Sequence, residues 1–116
     1  MTIKSEPLPE GLEEFILNQF QTVTEVEVLC YFMNHKGMAF SAKTLCKQLF
    51  LSETMTSQIL VRLLALEFVT KNNKLYKYVE GNPAEGKNFL KELCSLFNSR
   101  KSVIVEILFN SFLRES

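Results

Sequence analysis

Residues 41–78, SAKTLCKQLFLSETMTSQILVRLLALEFVTKNNKLYKY, constrain the fold more than any other stretch of the chain. Ser41 is a helix-capping residue, and Leu45, Cys46 and Leu49 follow it at helical spacing, which predicts a helix over residues 42–50. Leu51 fills a turn. Ser52 then caps a second helix, expected over residues 53–66, with Glu53 in its first turn complementing the helix dipole. Thr56, Leu60, Leu63 and Leu64 share one face of that helix. Two β-type runs follow, Phe68-Val69-Thr70 and Leu75-Tyr76-Lys77-Tyr78-Val79, with Asn72-Asn73 at the turn because Asn tolerates positive φ. The order is helix, tight turn, helix, hairpin.

The flanks are helical. Residues 1–9 read as a loose arm with Pro7 and Pro9. Leu12, Phe15, Ile16 and Phe20 form an apolar stripe on a short helix over residues 10–20. Thr22 with Glu25, or Thr24 with Glu27, makes a capping box for a helix running to residue 34. Val26, Leu29, Cys30 and Met33 lie on its inner face, and Lys36-Gly37 stops it. Residues 80–83 form a linker. Leu90, Leu93, Cys94 and Phe97 mark a helix over residues 84–97, Asn98-Ser99 a break, and Val103, Ile104, Ile107, Leu108, Ser111 and Phe112 a last helix to residue 113. The expected fold is mainly α with a small β-hairpin wing. It is one winged helix-turn-helix domain over residues 1–116, with a core at 22–80 and extra N- and C-terminal helices, the latter at 84–115.

Composition excludes several classes. At 116 residues, 47% hydrophobic and 22% charged, the chain is globular, with ten Phe and no Trp to fill its core. No apolar run approaches the ~18 residues of a membrane span, and MTIKSEPLPEGLEEF lacks the apolar stretch of a signal peptide, so a cytoplasmic location is expected. Cys30, Cys46 and Cys94 are odd in number and widely spaced. With His35 the sole histidine, they read as buried free thiols rather than disulfides or metal ligands. There is no aspartate, no phosphate-binding glycine loop and no marked carboxylate pair, so neither catalysis nor a cofactor is expected.

The zero formal net charge is unevenly spread. Residues 1–30 hold six glutamates against Lys4. Residues 36–78 hold Lys36, Lys43, Lys47, Arg62, Lys71, Lys74 and Lys77 against Glu53 and Glu67. A local cationic excess on a helix-turn-helix points to phosphate contact, hence to double-stranded DNA. The outer face of the second helix offers Glu53, Thr54, Ser57, Gln58, Val61 and Arg62, of which Thr54, Ser57, Gln58 and Arg62 suit base edges or phosphates. Lys43 and Lys47 on the first helix, with Lys71, Lys74 and Lys77 on the hairpin, complete the expected DNA-binding set. Glu53 opposes it. Tyr76 and Tyr78 share one strand face, either presented with the lysines or covering the core edge.

LSETMTSQILVRLLALEFV resembles the turn and recognition helix of ArsR/MarR-type winged-helix regulators, with Leu51, Ser52, Ser57, Leu60, Leu63, Phe68 and Val69 at the positions that pattern expects. Glu67 stands where a Gly usually ends this helix. More widely, FILNQFQTVTEVEVLCYF, LYKYVEGNP and LCSLFNSRKSVIVEILFNSF resemble a group of small bacterial winged helix-turn-helix proteins in the ArsR/MarR-like superfamily. There a YxY wing leads to a Pro, a helix, an Arg-rich turn and a final VxxI-type helix. The resemblance implies the fold, a bacterial source and a regulator-like role, and it supplies neither a ligand nor an operator. The cysteine and histidine motifs of metal-sensing relatives are absent, so metal sensing is not implied.

The leading expectation is a transcriptional regulator with residues 52–66 in the major groove and the basic wing, residues 70–78, on the backbone. The alternative is a protein-interaction module on the same scaffold, suggested by net neutrality, Glu53 and the apolar Ile59 and Val61. Either is compatible with a homodimer through the C-terminal helices, using Ile104, Val105, Leu108, Phe109 and Phe112. The competing arrangement has the last helix clasped by the N-terminal helix within one monomer.

Overall fold

The computed structural model describes residue 8, residues 10–81 and residues 89–115, with side chains through residue 110. Nearly all of the expected arm, the end of the linker, the start of the C-terminal helices at residue 84 and the side chain of Phe112 lie outside the described residues. Within them are five helices and three strands: α1 Leu12–Gln19, α2 Val23–Asn34, β1 Ala39–Ser41, α3 Ala42–Leu49, α4 Glu53–Ala65, β2 Val69–Asn72, β3 Leu75–Tyr78 and α5 Phe89–Glu115. No helix among the described residues is long and apolar enough to cross a membrane.

Local chemistry sets the helix starts. Thr22 is the cap of α2, accepting from the Glu25 N–H at 3.2 Å. Glu25 Oε1 in turn accepts from the Gln21 N–H at 2.7 Å, one residue further out than in the usual capping box. Gly37, with φ +87, supplies a left-handed turn residue, but after the helix has ended at Asn34 rather than as its cap. Ser41 caps α3 through the Thr44 N–H at 3.1 Å, and Ser52 caps α4 through the Met55 N–H at 3.0 Å. Both serines satisfy a first-turn donor that would otherwise lack a partner.

The strands form one antiparallel sheet in the order β1-β3-β2. β1 was not expected, since three residues with only Phe40 buried are too short to show alternation. Its register pairs Phe40 with Tyr76 on β3, while Val69 and Lys71 of β2 lie opposite Tyr78 and Tyr76. One sheet face therefore carries Val69, Phe40 and Tyr78 into the core. Thr70 and Lys77, also opposite one another, take the outer face.

The core is continuous across the domain. Leu12 and Ile16 from α1, Val26, Leu29 and Phe32 from α2, Leu45 from α3, Leu60 and Leu63 from α4, and Leu90, Leu93 and Ile104 from α5 are all essentially inaccessible. Aromatic rings tie distant segments together. Phe20 stacks on Phe68 at 5.9 Å, and Phe15 meets Phe89 at 5.1 Å. Gly11 allows that approach: an added Cβ would sit 3.0 Å from the Phe89 ring, at a φ of +86 that disfavours side chains anyway.

The C-terminal region keeps the expected break but not the expected subunit contact. The two expected helices are the two halves of α5, set apart by non-helical backbone at Arg100 (φ −144°, ψ 59°), next to the break expected at Asn98-Ser99. Ser99 Oγ donates to the Ser95 carbonyl at 2.8 Å, one residue ahead of that kink. In addition, α1 lies against both halves of α5. Phe15 meets Phe89, and Glu13 and Leu8 border a depression of about 180 Å³ with Val103, Glu106 and Ile107. Ile104 and Leu108, expected at a subunit contact, are buried in the core of this single chain. Their apolar stripe faces inward, where it removes the most surface from water.

Candidate nucleic-acid interface

The α3–α4 pair is joined by Phe50, Leu51 and Ser52. Phe50 ends α3 in the left-handed region (φ 56°, ψ 48°), and the Leu51 N–H reaches back to the Cys46 carbonyl at 3.0 Å. That conformation normally favours Gly, and the Phe50 ring is 93% exposed. Below the turn, Cys46 Sγ donates to Thr56 Oγ1 at 3.3 Å, linking the two helices through a fully buried threonine. Leu60 and Leu63 are buried as expected and Leu64 is half-buried. Ile59, one of the two apolar residues that suggested a protein-interaction module, is buried too, while Val61 is exposed.

The outer face of α4 carries Glu53, Thr54, Met55, Ser57, Gln58 and Val61, all exposed. Arg62, the only cation within α4, is withdrawn from that face. Its Nη2 donates to the Gln19 carbonyl at 2.9 Å, and its Nε lies 2.9 Å from Glu25 Oε2. The Nε contact is an ion pair whose N–H is not directed at the oxygen. Glu25 is buried and Arg62 half-buried, so the pair joins α4 to the α1–α2 corner. Arg62, expected in the DNA-binding set, thus has partners within the chain: a buried carboxylate needs its counter-charge, and that demand draws the guanidinium inward. A depression of about 470 Å³ lies alongside, bordered by Thr22, Glu25, Met55, Gln58 and Val61.

α4 leaves through a left-handed turn at Glu67 (φ 65°), with the Phe68 N–H on the Leu63 carbonyl and the Glu67 N–H on the Leu64 carbonyl, both at 3.0 Å. These are the two bonds of a Schellman cap. The expected glycine is missing from the sequence, yet its conformation is kept, and β2 begins two residues later at Val69.

The hairpin turn is Asn73-Lys74 rather than Asn72-Asn73. Both residues have positive φ (52° and 71°), and Asn72 pairs with Leu75, the geometry of a two-residue type I′ turn. Lys74 therefore occupies the tip. Lys71 lies with its Nζ 5.5 Å from the centre of the opposing Tyr76 ring, and Lys77 projects from the other face. Tyr78 is buried and Tyr76 half-buried, so the tyrosines cover the core edge. Lys36, Lys43, Lys47, Lys71, Lys74 and Lys77 are all exposed, against exposed Glu53 and Glu67 on residues 36–78. On α5, Val105 is exposed and Phe109 is 56% exposed.

The molecule is thus a mainly helical domain with a small three-stranded antiparallel sheet. Comparison of the chain with protein-family models, curated proteins and solved structures finds no match.

Proposed function

We propose that this chain is a winged helix-turn-helix protein that binds double-stranded DNA and acts as a bacterial, ArsR/MarR-like transcriptional regulator. The observation that carries the reading is the helix pair α3–α4 running through a tight cap into an antiparallel hairpin whose exposed lysines outnumber the nearby glutamates. In this reading α4 enters the major groove with Thr54, Ser57 and Gln58 toward base edges. Lys43, Lys47, Lys71, Lys74 and Lys77 neutralise phosphates. Arg62 and the tyrosines take no part, since they support the scaffold.

Fluorescence anisotropy of a mixed-sequence duplex, titrated over a range of salt concentrations, tests this. Five lysine–phosphate contacts give a log–log salt slope of roughly −4 to −5 at about −0.9 per phosphate. Absence of binding at low salt removes the proposal.

The second reading, a protein-interaction module without DNA, is favoured by the exposed Phe50, Met55 and Val61. Recovery of a stoichiometric protein partner by a chain that ignores DNA supports it. In either case a homodimer through α5 draws on Val105 and Phe109. Light scattering at micromolar concentration tests it, and a monomer counts against it.

A further inference from the structure

Cys30 of α2 and Cys94 of α5 meet in the core where those helices pack. Cys94 Sγ lies 2.8 Å from Cys30 Sγ, and Met33 Sδ lies 3.3 Å from Cys94 Sγ. Cys30 is 2% exposed and Cys94 7%. Unbonded heavy atoms of this size rest roughly 3.5–4 Å apart, so packing holds the two thiols within ordinary contact distance. A disulfide needs the sulfurs at about 2.05 Å, a further approach of about 0.75 Å that side-chain torsion can supply. Cys46 is placed differently, with its thiol directed at the oxygens of Thr56 and Ser52.

We propose that Cys30 and Cys94 form an oxidation site in the folded protein, closed to an internal disulfide by hydrogen peroxide. The two thiols together lose two protons and two electrons, the peroxide O–O bond breaks, and two waters form. Cys94, the more exposed, reacts first. Its thiolate attacks one peroxide oxygen and becomes a sulfenic acid, and the displaced hydroxide takes up the thiol proton as the first water. The Cys30 sulfur then attacks the Cys94 sulfur and expels hydroxide, which leaves with the Cys30 proton as the second water. The neighbouring Cys94 thiol, then burial and Glu27, raise the Cys30 thiol above its ordinary range. That disfavours Cys30 as the first thiolate, and its part in the second step rests on its 2.8 Å proximity to Cys94.

The closed loop spans residues 30–94 and contains β1, α3, α4 and the hairpin. Oxidation therefore staples both ends of that unit, adding a covalent tie to the apolar packing and the Arg62–Glu25 ion pair that hold it against the flanking helices. The proposal stands whether or not the chain binds DNA.

The test uses the full chain carrying Cys46→Ser, so that only the pair reports. After peroxide treatment, denaturation and alkylation with iodoacetamide, the expected product is a monomer two hydrogens lighter with no alkyl group. Peptide mapping should place the bond between Cys30 and Cys94, and thermal unfolding should rise by roughly 10 °C, reversed by dithiothreitol. Refolding the reduced, unfolded chain with glutathione disulfide separates geometry from access. There the Cys94 thiolate and then the Cys30 thiolate displace two glutathione thiols, and the same bond is expected. Two alkylatable cysteines after either treatment, disulfide-linked dimers, or separate sulfinic acids overturn the proposal.

Discussion

α4 and the β2–β3 hairpin follow one another in the chain and expose opposite kinds of surface. α4 shows Thr54, Ser57, Gln58, Met55 and Val61 with one anion, Glu53, because its one arginine is turned inward to Glu25. The hairpin shows Lys71, Lys74 and Lys77, while its tyrosines are spent on the core. The difference lies in what each residue must satisfy. Arg62 sits on a half-buried helix flank beside a buried carboxylate, whereas the hairpin lysines project from a thin sheet with no buried anion to answer. If DNA is the ligand, affinity falls to the hairpin and α3, and selectivity falls to the uncharged polar side chains of α4.

The largest expected effect breaks that division from the hairpin side. Lys71/Lys74/Lys77→Ala should reduce DNA affinity by roughly two orders of magnitude or more near 0.1 M salt and flatten the salt slope by about 3. Anisotropy reads both, and an unchanged slope would assign the charge to another surface.

Arg62→Ala probes the same comparison from α4. It should cost about 2 kcal/mol in urea unfolding, less than the loss of a fully buried pair because Arg62 is half-exposed. The salt slope should be untouched, and a slope reduced by about 1 would return Arg62 to the contact surface.

Gln58→Ala should be smaller still and different in kind. A loss of about 1 kcal/mol or more on a selected site, with no change on mixed-sequence DNA, is the signature of base reading. Equal losses on both would make it a backbone contact.

The smallest effect concerns the turn ahead of α4. Phe50→Gly should raise stability by roughly 0.5 kcal/mol, since relief of the left-handed strain outweighs the extra freedom of the unfolded chain. Thermal unfolding reads this. If Phe50 anchors a protein partner, the same substitution abolishes capture of that partner while the fold becomes firmer.

Much of the architecture was legible because it is locally encoded. The caps at Thr22, Ser41 and Ser52 act within three residues, and the apolar spacing of α2 and α4 identifies their inner faces. β1 escaped notice because its stability comes from pairing with β3, 34 or more residues later in the chain. Glu67 and Lys74 hold positive φ where composition suggested a missing glycine or a turn one residue earlier, because buried Phe68 and the Val69–Tyr78 pairing fix the register around them. Of the candidate site, the lysines were legible because solvent is their default environment.

The sequence by itself determined the order of helices and hairpin, the caps that start them and the cationic excess of residues 36–78. Those properties depend on residue type and on neighbours a few positions away. Only the tertiary structure decided which groups are spoken for. It took Arg62 for Glu25, Ile104 and Leu108 for the core, and Tyr78 for the sheet's inner face, and it brought Cys30 beside Cys94. The reason is that a buried charge, an apolar side chain and a thiol each respond to what surrounds them in space, and in this chain the partners of Arg62 and of Cys94 lie 37 and 64 residues away.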